Sequence, residues 1–201
     1  MKYVVIYYSF TGNNRLLALE LQRRLGGDCV EVFEARPRSR VTILLDVLFD
    51  RKPGISWTPC DLGSYDKALL VAPVWAGHIA APLAAFIARH KSTLPPFAFL
   101  SLCSGVPGQP ARIHDELREL TGRAPDFVDQ LDVNTLLPAE HRNKARYTSK
   151  FRAGAADMLA FDARIAQVLH ALEPAAPFSE TPSPAGLRGP APSGSGSPAA
   201  S

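Results

Sequence analysis

The sequence predicts a three-layer, doubly wound α/β domain built on a five-stranded parallel sheet. Three observations predict it. Apolar, β-rich runs alternate with amphipathic helical stretches over residues 1–173, and that alternation builds parallel sheets covered on both faces. Two runs, Lys67–Pro73 and Phe97–Cys103, are almost continuously apolar, as strands buried on both sides require. The loops after the first, third and fourth strands all contain glycine, and they lie at the carboxyl edge where such sheets bind ligands.

The elements follow in order. Lys2–Tyr8 is a first strand, and Arg15–Leu25 is a helix stopped by Gly26-Gly27. Cys29–Glu34 is a short second strand. Val41, Leu44, Leu45 and Leu48 share one helical face, which predicts a helix over Val41–Asp50. Arg51–Ser64 holds two prolines and two glycines and reads as a surface connection. Lys67–Pro73 is the third strand. Ile79, Leu83, Phe86 and Ile87 recur at helical spacing, with Pro82 in the first turn. Phe97–Cys103 is the fourth strand. Pro110–Thr121 is a helix with Ile113, Leu117 and Leu120 inward and Gly122 as its stop. Phe127–Val133 is a weaker fifth strand, and Ala153–Leu172 is a long final helix ended before Pro174.

Composition bounds the class. The 201 residues are 46% hydrophobic and 20% charged, which is globular. Of the 28 residues from Pro174 to Ser201, 23 are Pro, Ala, Ser or Gly. Such a tail cannot repay its ordering entropy and is expected to be disordered. Cys29, Cys60 and Cys103 are odd in number and irregularly spaced, against a disulfide framework or a zinc cluster. The chain opens directly on a strand and holds no run of membrane-spanning length, so a soluble cytoplasmic protein with no membrane partner is expected. The net charge of +3 is modest. Basic residues gather at Arg36, Arg38, Arg40, Arg51 and Lys52, and again at Arg142, Lys144, Arg146, Lys150 and Arg152. Aromatics are not interleaved with them as on a single-strand binding surface, so no nucleic-acid partner is expected. They read as solvated loops, with docking of an acidic partner or a nucleotide phosphate as the functional alternative.

The chemistry concentrates in the loop Ser9-Phe10-Thr11-Gly12-Asn13-Asn14, between a buried strand and a helix. A helix start carries unpaired N–H groups and partial positive charge. Ser9 and Thr11 add hydroxyl donors, and Gly12 allows close backbone approach. Together they suit a phosphate. The ordinary alternative is that Ser9 or Thr11 simply caps the helix. The loop is neither a Walker loop nor a G-x-G-x-x-G turn. After the third strand, Trp75 offers an indole to a flat heterocycle.

Competing chemistries lack their residues. Tyr7, Tyr8 and Pro73 stand where a phospho-accepting receiver needs acids. No arginine closes a loop after Cys103, as a cysteine phosphatase needs. Ser104-Gly105 lies in no nucleophile elbow. The histidines, His78, His90, His114, His141 and His170, show no metal spacing, and only His78 falls in a predicted site loop.

Two motifs carry a family likeness. Tyr7-Tyr8-Ser9-Phe10-Thr11-Gly12-Asn13-Asn14 resembles the S-x-T-G-N-T phosphate loop of flavodoxins. Tyr65-Asp66-Lys67, through Pro73-Val74-Trp75-Ala76-Gly77 to Pro82 and Phe86, resembles a "YD … PVWAG … P … F" segment of bacterial flavodoxin-like proteins. The resemblance implies strand order 2-1-3-4-5 and FMN as cofactor. It implies that Ser9, Thr11, Gly12, Asn13 and Asn14 would hold the phosphate, in a cofactor-binding loop that also includes Phe10. Trp75 would flank the isoalloxazine, with Pro73 and Val74 also in the cofactor site; the backbone at Ala76 and Gly77 would meet the ring's N5 edge, and Cys103, Ser104 and Gly105 would close the other side near the pyrimidine end. The implied role is electron transfer or FMN-dependent reduction, with a redox partner protein or NAD(P)H. The alternative is a flavin-free interaction module. Asn14 departs from the family's usual Thr, and the Cys103–Gln109 loop matches it poorly. A sequence pI of about 8.9 contrasts with the acidic surfaces of many flavodoxin carriers.

Overall fold

The computed structural model describes residues 1–35 and 54–173. The predicted helix Val41–Asp50, the basic residues Arg36, Arg38, Arg40, Arg51 and Lys52, and the tail Pro174–Ser201 lie outside the described residues.

Along the described chain run β1 (Tyr3–Tyr7), α1 (Asn13–Leu25), β2 (Asp28–Glu34), β3 (Ile55–Trp57), β4 (Lys67–Val71), β5 (Val74–Trp75) and β6 (His78–Ile79). Then come α2 (Ala81–His90), β7 (Phe97–Cys103), α3 (Gln109–Thr121), β8 (Val128–Asp132), α4 (Ala145–Thr148), α5 (Ala155–Ala160) and α6 (Asp162–Leu172). The main sheet has the order β3-β2-β1-β4-β7-β8. Five of these strands are parallel, with registers such as Val5–Cys29, Val5–Leu69, Leu69–Ala98 and Leu100–Asp129.

The apolar strand runs are explained by burial on two faces. Val4, Ile6, Leu70 and Phe99 pack with Leu83, Phe86 and Ile87 of α2 and Ile113 and Leu117 of α3. The alternate residues Val5, Tyr7, Leu69 and Leu100 pack with Leu17 and Leu21 of α1, Met158 of α5 and Ile165 and Val168 of α6. Side chains alternate across a strand, so two cores demand two apolar sets.

Three expectations are corrected. Among the described residues the sheet has six strands, because Ile55–Trp57, within the stretch read as a connection, forms β3 and pairs antiparallel with β2 through Val32–Trp57 and Glu34–Ile55. Its pattern is only three residues long, and Trp57 is held by tertiary contacts, edge-on to Phe86 at 5.6 Å and to His90 at 5.0 Å. The last helix is also two helices. Phe161 (φ −98°, ψ 5°) ends α5 and opens α6. Met158, Phe161, Ile165, Val168 and Leu172 keep helical spacing across the break, and neither Pro nor Gly marks it, so periodicity alone reads through. Finally, the second basic cluster is not plain loop. Single 3-10 turns at Val133–Leu136 and Ala139–His141 lead into α4.

Candidate functional site

The first site loop follows β1. The Tyr8 N–H donates to Val71 O at 3.0 Å, which keeps the chain beside β4 after the strand ends. Gly12 then turns with φ +91° and precedes α1. Its N–H donates to Ser9 Oγ at 3.1 Å, which leaves the Ser9 hydroxyl proton for another acceptor. The first intrahelical bond runs from Leu16 N–H to Gly12 O. The N–H groups of Asn13, Asn14 and Arg15 precede it in the turn whose donors have no helical partner.

The two asparagines point into the protein. Asn14 Nδ2 donates to Leu102 O at 3.2 Å, and the Leu102 N–H donates to Asn14 Oδ1 at 2.9 Å. Asn13 Nδ2 donates to Phe151 O at 3.1 Å, and Asn13 Oδ1 accepts from the Ala153 N–H at 2.9 Å. Both residues are buried. Their side chains tie the loop to β7 and to the segment before α5.

The second site loop is a small hairpin, β5 paired antiparallel with β6. Its two turn residues, Ala76 (φ 50°) and Gly77 (φ 85°), are both left-handed, the backbone of a type I′ turn. A Cβ at Gly77 would meet only the flexible end of the Arg112 side chain of α3, so the left-handed φ of 85° is what favours glycine there. The Ile79 N–H donates to Glu116 Oε2 at 3.1 Å, and His78 Nδ1 lies 3.5 Å from the same oxygen. Burial pushes the Glu116 carboxyl up. His78 thus faces α3 and does not line the cavity described below. Trp75 meets Tyr8 and Phe10 edge-on, at 5.8 and 5.9 Å between ring centroids.

The third loop follows β7. Cys103 Sγ accepts from Gln109 Nε2 at 3.2 Å, and burial raises its thiol pKa. A Cβ at Gly105 would collide with the Asp132 carboxylate. Asp132 Oδ1 accepts from the Asn134 N–H at 2.8 Å. Asn134 Nδ2 donates to Ser104 O at 2.7 Å, while its Oδ1 accepts from the Asn143 N–H at 2.8 Å. Asn134 therefore joins the third loop, the end of β8 and the entry to α4.

These loops enclose a cavity of about 510 Å³, within the range of small-molecule sites. Ten of the sequence-predicted residues line it: Phe10, Thr11, Asn13 and Asn14; Pro73, Val74, Trp75 and Ala76; Cys103 and Ser104. Ser9, Gly12, Gly77 and Gly105 do not line the cavity; the three glycines turn the backbone of their loops with positive φ. Leu102, Val133, Ala145, Thr148 and Ser149 also line the cavity and escaped sequence reasoning. Leu102 follows from strand alternation, but Ala145–Ser149 carries no pattern that places it over a sheet edge.

A parallel set ordered 2-1-3-4-5, with an aromatic-walled cavity beyond its strand ends, defines a flavodoxin-like α/β protein. Solved structures agree on that fold. A flavoprotein from Lactobacillus acidophilus in complex with FMN superposes with a TM-score of 0.56 at 20% identity, over 67% of this chain and 95% of that one. The apo form of the flavoprotein from the same organism gives 0.53 at 22%, over 67% and 94%. A candidate flavoprotein from Bacteroides eggerthii gives 0.57 at 18%, over 82% and 98%. No protein-family model and no curated protein matches the sequence. Among the described residues, no helix is long and apolar enough to cross a membrane.

Proposed function

We propose that this chain is an FMN-binding redox protein. The observation that carries the reading is the cavity itself, where Trp75 and the first turn of α1 share one wall system at the carboxyl edge of the sheet. The residues present fit the group. The N–H groups of Asn13, Asn14 and Arg15, with the hydroxyls of Ser9 and Thr11, suit a phosphate. Phe10, Pro73, Val74, Trp75 and Leu102 supply apolar and aromatic wall for a flat ring. Ala76 and Gly77, held left-handed by the hairpin, present backbone polar groups at the ring's edge, and Cys103, Ser104 and Gly105 close the opposite side. Bound FMN would supply electron transfer that no side chain here provides. The protein's part is to anchor, orient and partly desolvate. The flavoprotein bound to FMN among the structural neighbours supports the same reading.

One observation favours a second reading, a flavin-free interaction module. Both asparagine amides of the loop are engaged by the protein's own backbone. A single titration separates the two. Purified protein incubated with FMN should retain the yellow chromophore and bind FMN at least tenfold more tightly than riboflavin, since a phosphate contact of about 1.4 kcal/mol is tenfold in affinity. No retained flavin would overturn the redox reading in favour of the module. Bleaching by NADPH without added reductase would assign direct NAD(P)H-linked reduction; a requirement for a reductase would assign an electron carrier.

A further inference from the structure

We propose that residues 142–153 form a cationic docking strap beside the cavity, and that its partner is an acidic redox protein. The inference rests on the redox reading for the partner's role, and on the strap's own geometry for the surface.

The strap is placed by two asparagines. At one end the Asn143 N–H is held by Asn134 Oδ1 at 2.8 Å. At the other, Asn13 accepts from the Ala153 N–H and donates to Phe151 O. Asn13 and Asn134 are both buried; Asn13 opens α1 and lines the cavity, and Asn134 lies in the 3-10 turn after β8. Between these anchors Ala145, Thr148 and Ser149 line the cavity. Tyr147 stacks on His141 at 3.8 Å, and the Arg146 guanidinium lies 4.5 Å over its ring. A surface fixed before encounter loses less entropy on binding.

Charge supplies the partner's chemistry. From Arg142 to Arg152 there are five cations and no acid. All five are exposed, and no ion pair among the described residues includes them. Some cations elsewhere are paired, Arg23 and Arg24 with Glu20, Lys67 with Asp126 and Arg164 with Asp129, but no other run of this length carries five cations without an acid. The cavity-lining members of the strap are all uncharged. The cations are therefore carried on a segment that borders the cavity, and none of them lines it. That arrangement suits a broad acidic surface, which long-range attraction steers toward the cavity. Phe10, exposed and lining the same cavity, supplies the apolar contact that a charged rim encloses in protein interfaces.

The test uses the full chain, with and without FMN, titrated with an acidic [2Fe–2S] ferredoxin as probe and followed by amide NMR shifts. Shifts should concentrate on residues 142–152 and Phe10. Binding should weaken by about tenfold or more between about 0.01 and 0.1 M ionic strength, as the Debye length falls from about 30 to about 10 Å. The triple variant Lys144→Gln, Arg146→Gln, Lys150→Gln should weaken it comparably, whereas Arg23→Gln with Arg118→Gln should not. Salt-independent binding by the unaltered chain, shifts elsewhere, or full binding by the triple variant would overturn the proposal. So would NADPH displacing the probe while shifting the strap amides, which would assign the cations to nucleotide phosphates. Strap binding by a chain that never retains FMN would leave the docking surface standing and remove the redox role.

Discussion

The side-chain amide of Asn14 is clamped to the backbone of Leu102, one bond in each direction, at 3.2 and 2.9 Å. The last β4–β7 pair is Val71–Leu100, so Asn14 supplies partners just past the point where the ladder stops. The phosphate-loop likeness implied a donor aimed at a ligand; the structure gives this side chain a load between α1 and β7. Asn14→Ala leaves buried N–H and C=O groups of Leu102 without those partners. It should cost about 1–3 kcal/mol of stability, read from the urea midpoint of flavin-free protein. A loss below about 0.5 kcal/mol, the range of neutral surface changes, would show that the clamp contributes nothing.

Trp75 is the second test. Its indole lines the cavity and is braced edge-on by Tyr8 and Phe10. Trp75→Ala should weaken FMN by about 1–3 kcal/mol, taking base–aromatic stacking as the scale, measured by flavin fluorescence titration. Unchanged affinity would make the indole wall only.

Gly12 tests backbone geometry. A Cβ there meets nothing within 4 Å, but φ is +91°, so the obstacle to substitution is conformational. Gly12→Ala should cost about 1–2 kcal/mol, the usual penalty for an L-residue held left-handed, and should lower FMN affinity as the loop relaxes. Thermal unfolding and FMN titration of the variant read the two effects; an unchanged melting temperature would contradict the first.

Glu20 gives a pH signature. Hydrogen bonds from Arg23 and Arg24 lower its pKa from 4.5 to about 2, and Arg24 also pairs with Asp162, tying α1 to α6. The folded value lies below the unfolded one, so the folded state holds fewer protons between them. Stability from this carboxylate is present above about 4.5 and is lost as pH falls toward about 2. Glu20→Gln should flatten that part of the acid-unfolding curve. A variant curve parallel to the original would refute the assignment.

Deleting Pro174–Ser201 should leave melting temperature and FMN content unaltered, because the tail has little to bury. A fall in either would show that it docks.

Lys67–Pro73 and Phe97–Cys103 were legible as two-sided strands because burial on both faces leaves an apolar run no matter what packs there. Ser9–Asn14 and Val74–Gly77 were legible as site loops because a helix start and a glycine-bearing turn write local demands into local residues. β3 was not legible, since three residues gain their strand geometry from Trp57 packing on Phe86. Nor was the break at Phe161, whose apolar spacing is that of one helix. The sequence by itself determined the alternation of elements, the two apolar faces of each central strand and the chemistry of the two loops, all properties of neighbouring residues. Only the tertiary structure decided that Asn14 serves Leu102, that His78 turns to Glu116, and that Ala145–Ser149 closes the cavity. Those facts depend on contacts between segments as many as 140 residues apart, and no local pattern encodes a partner at that distance.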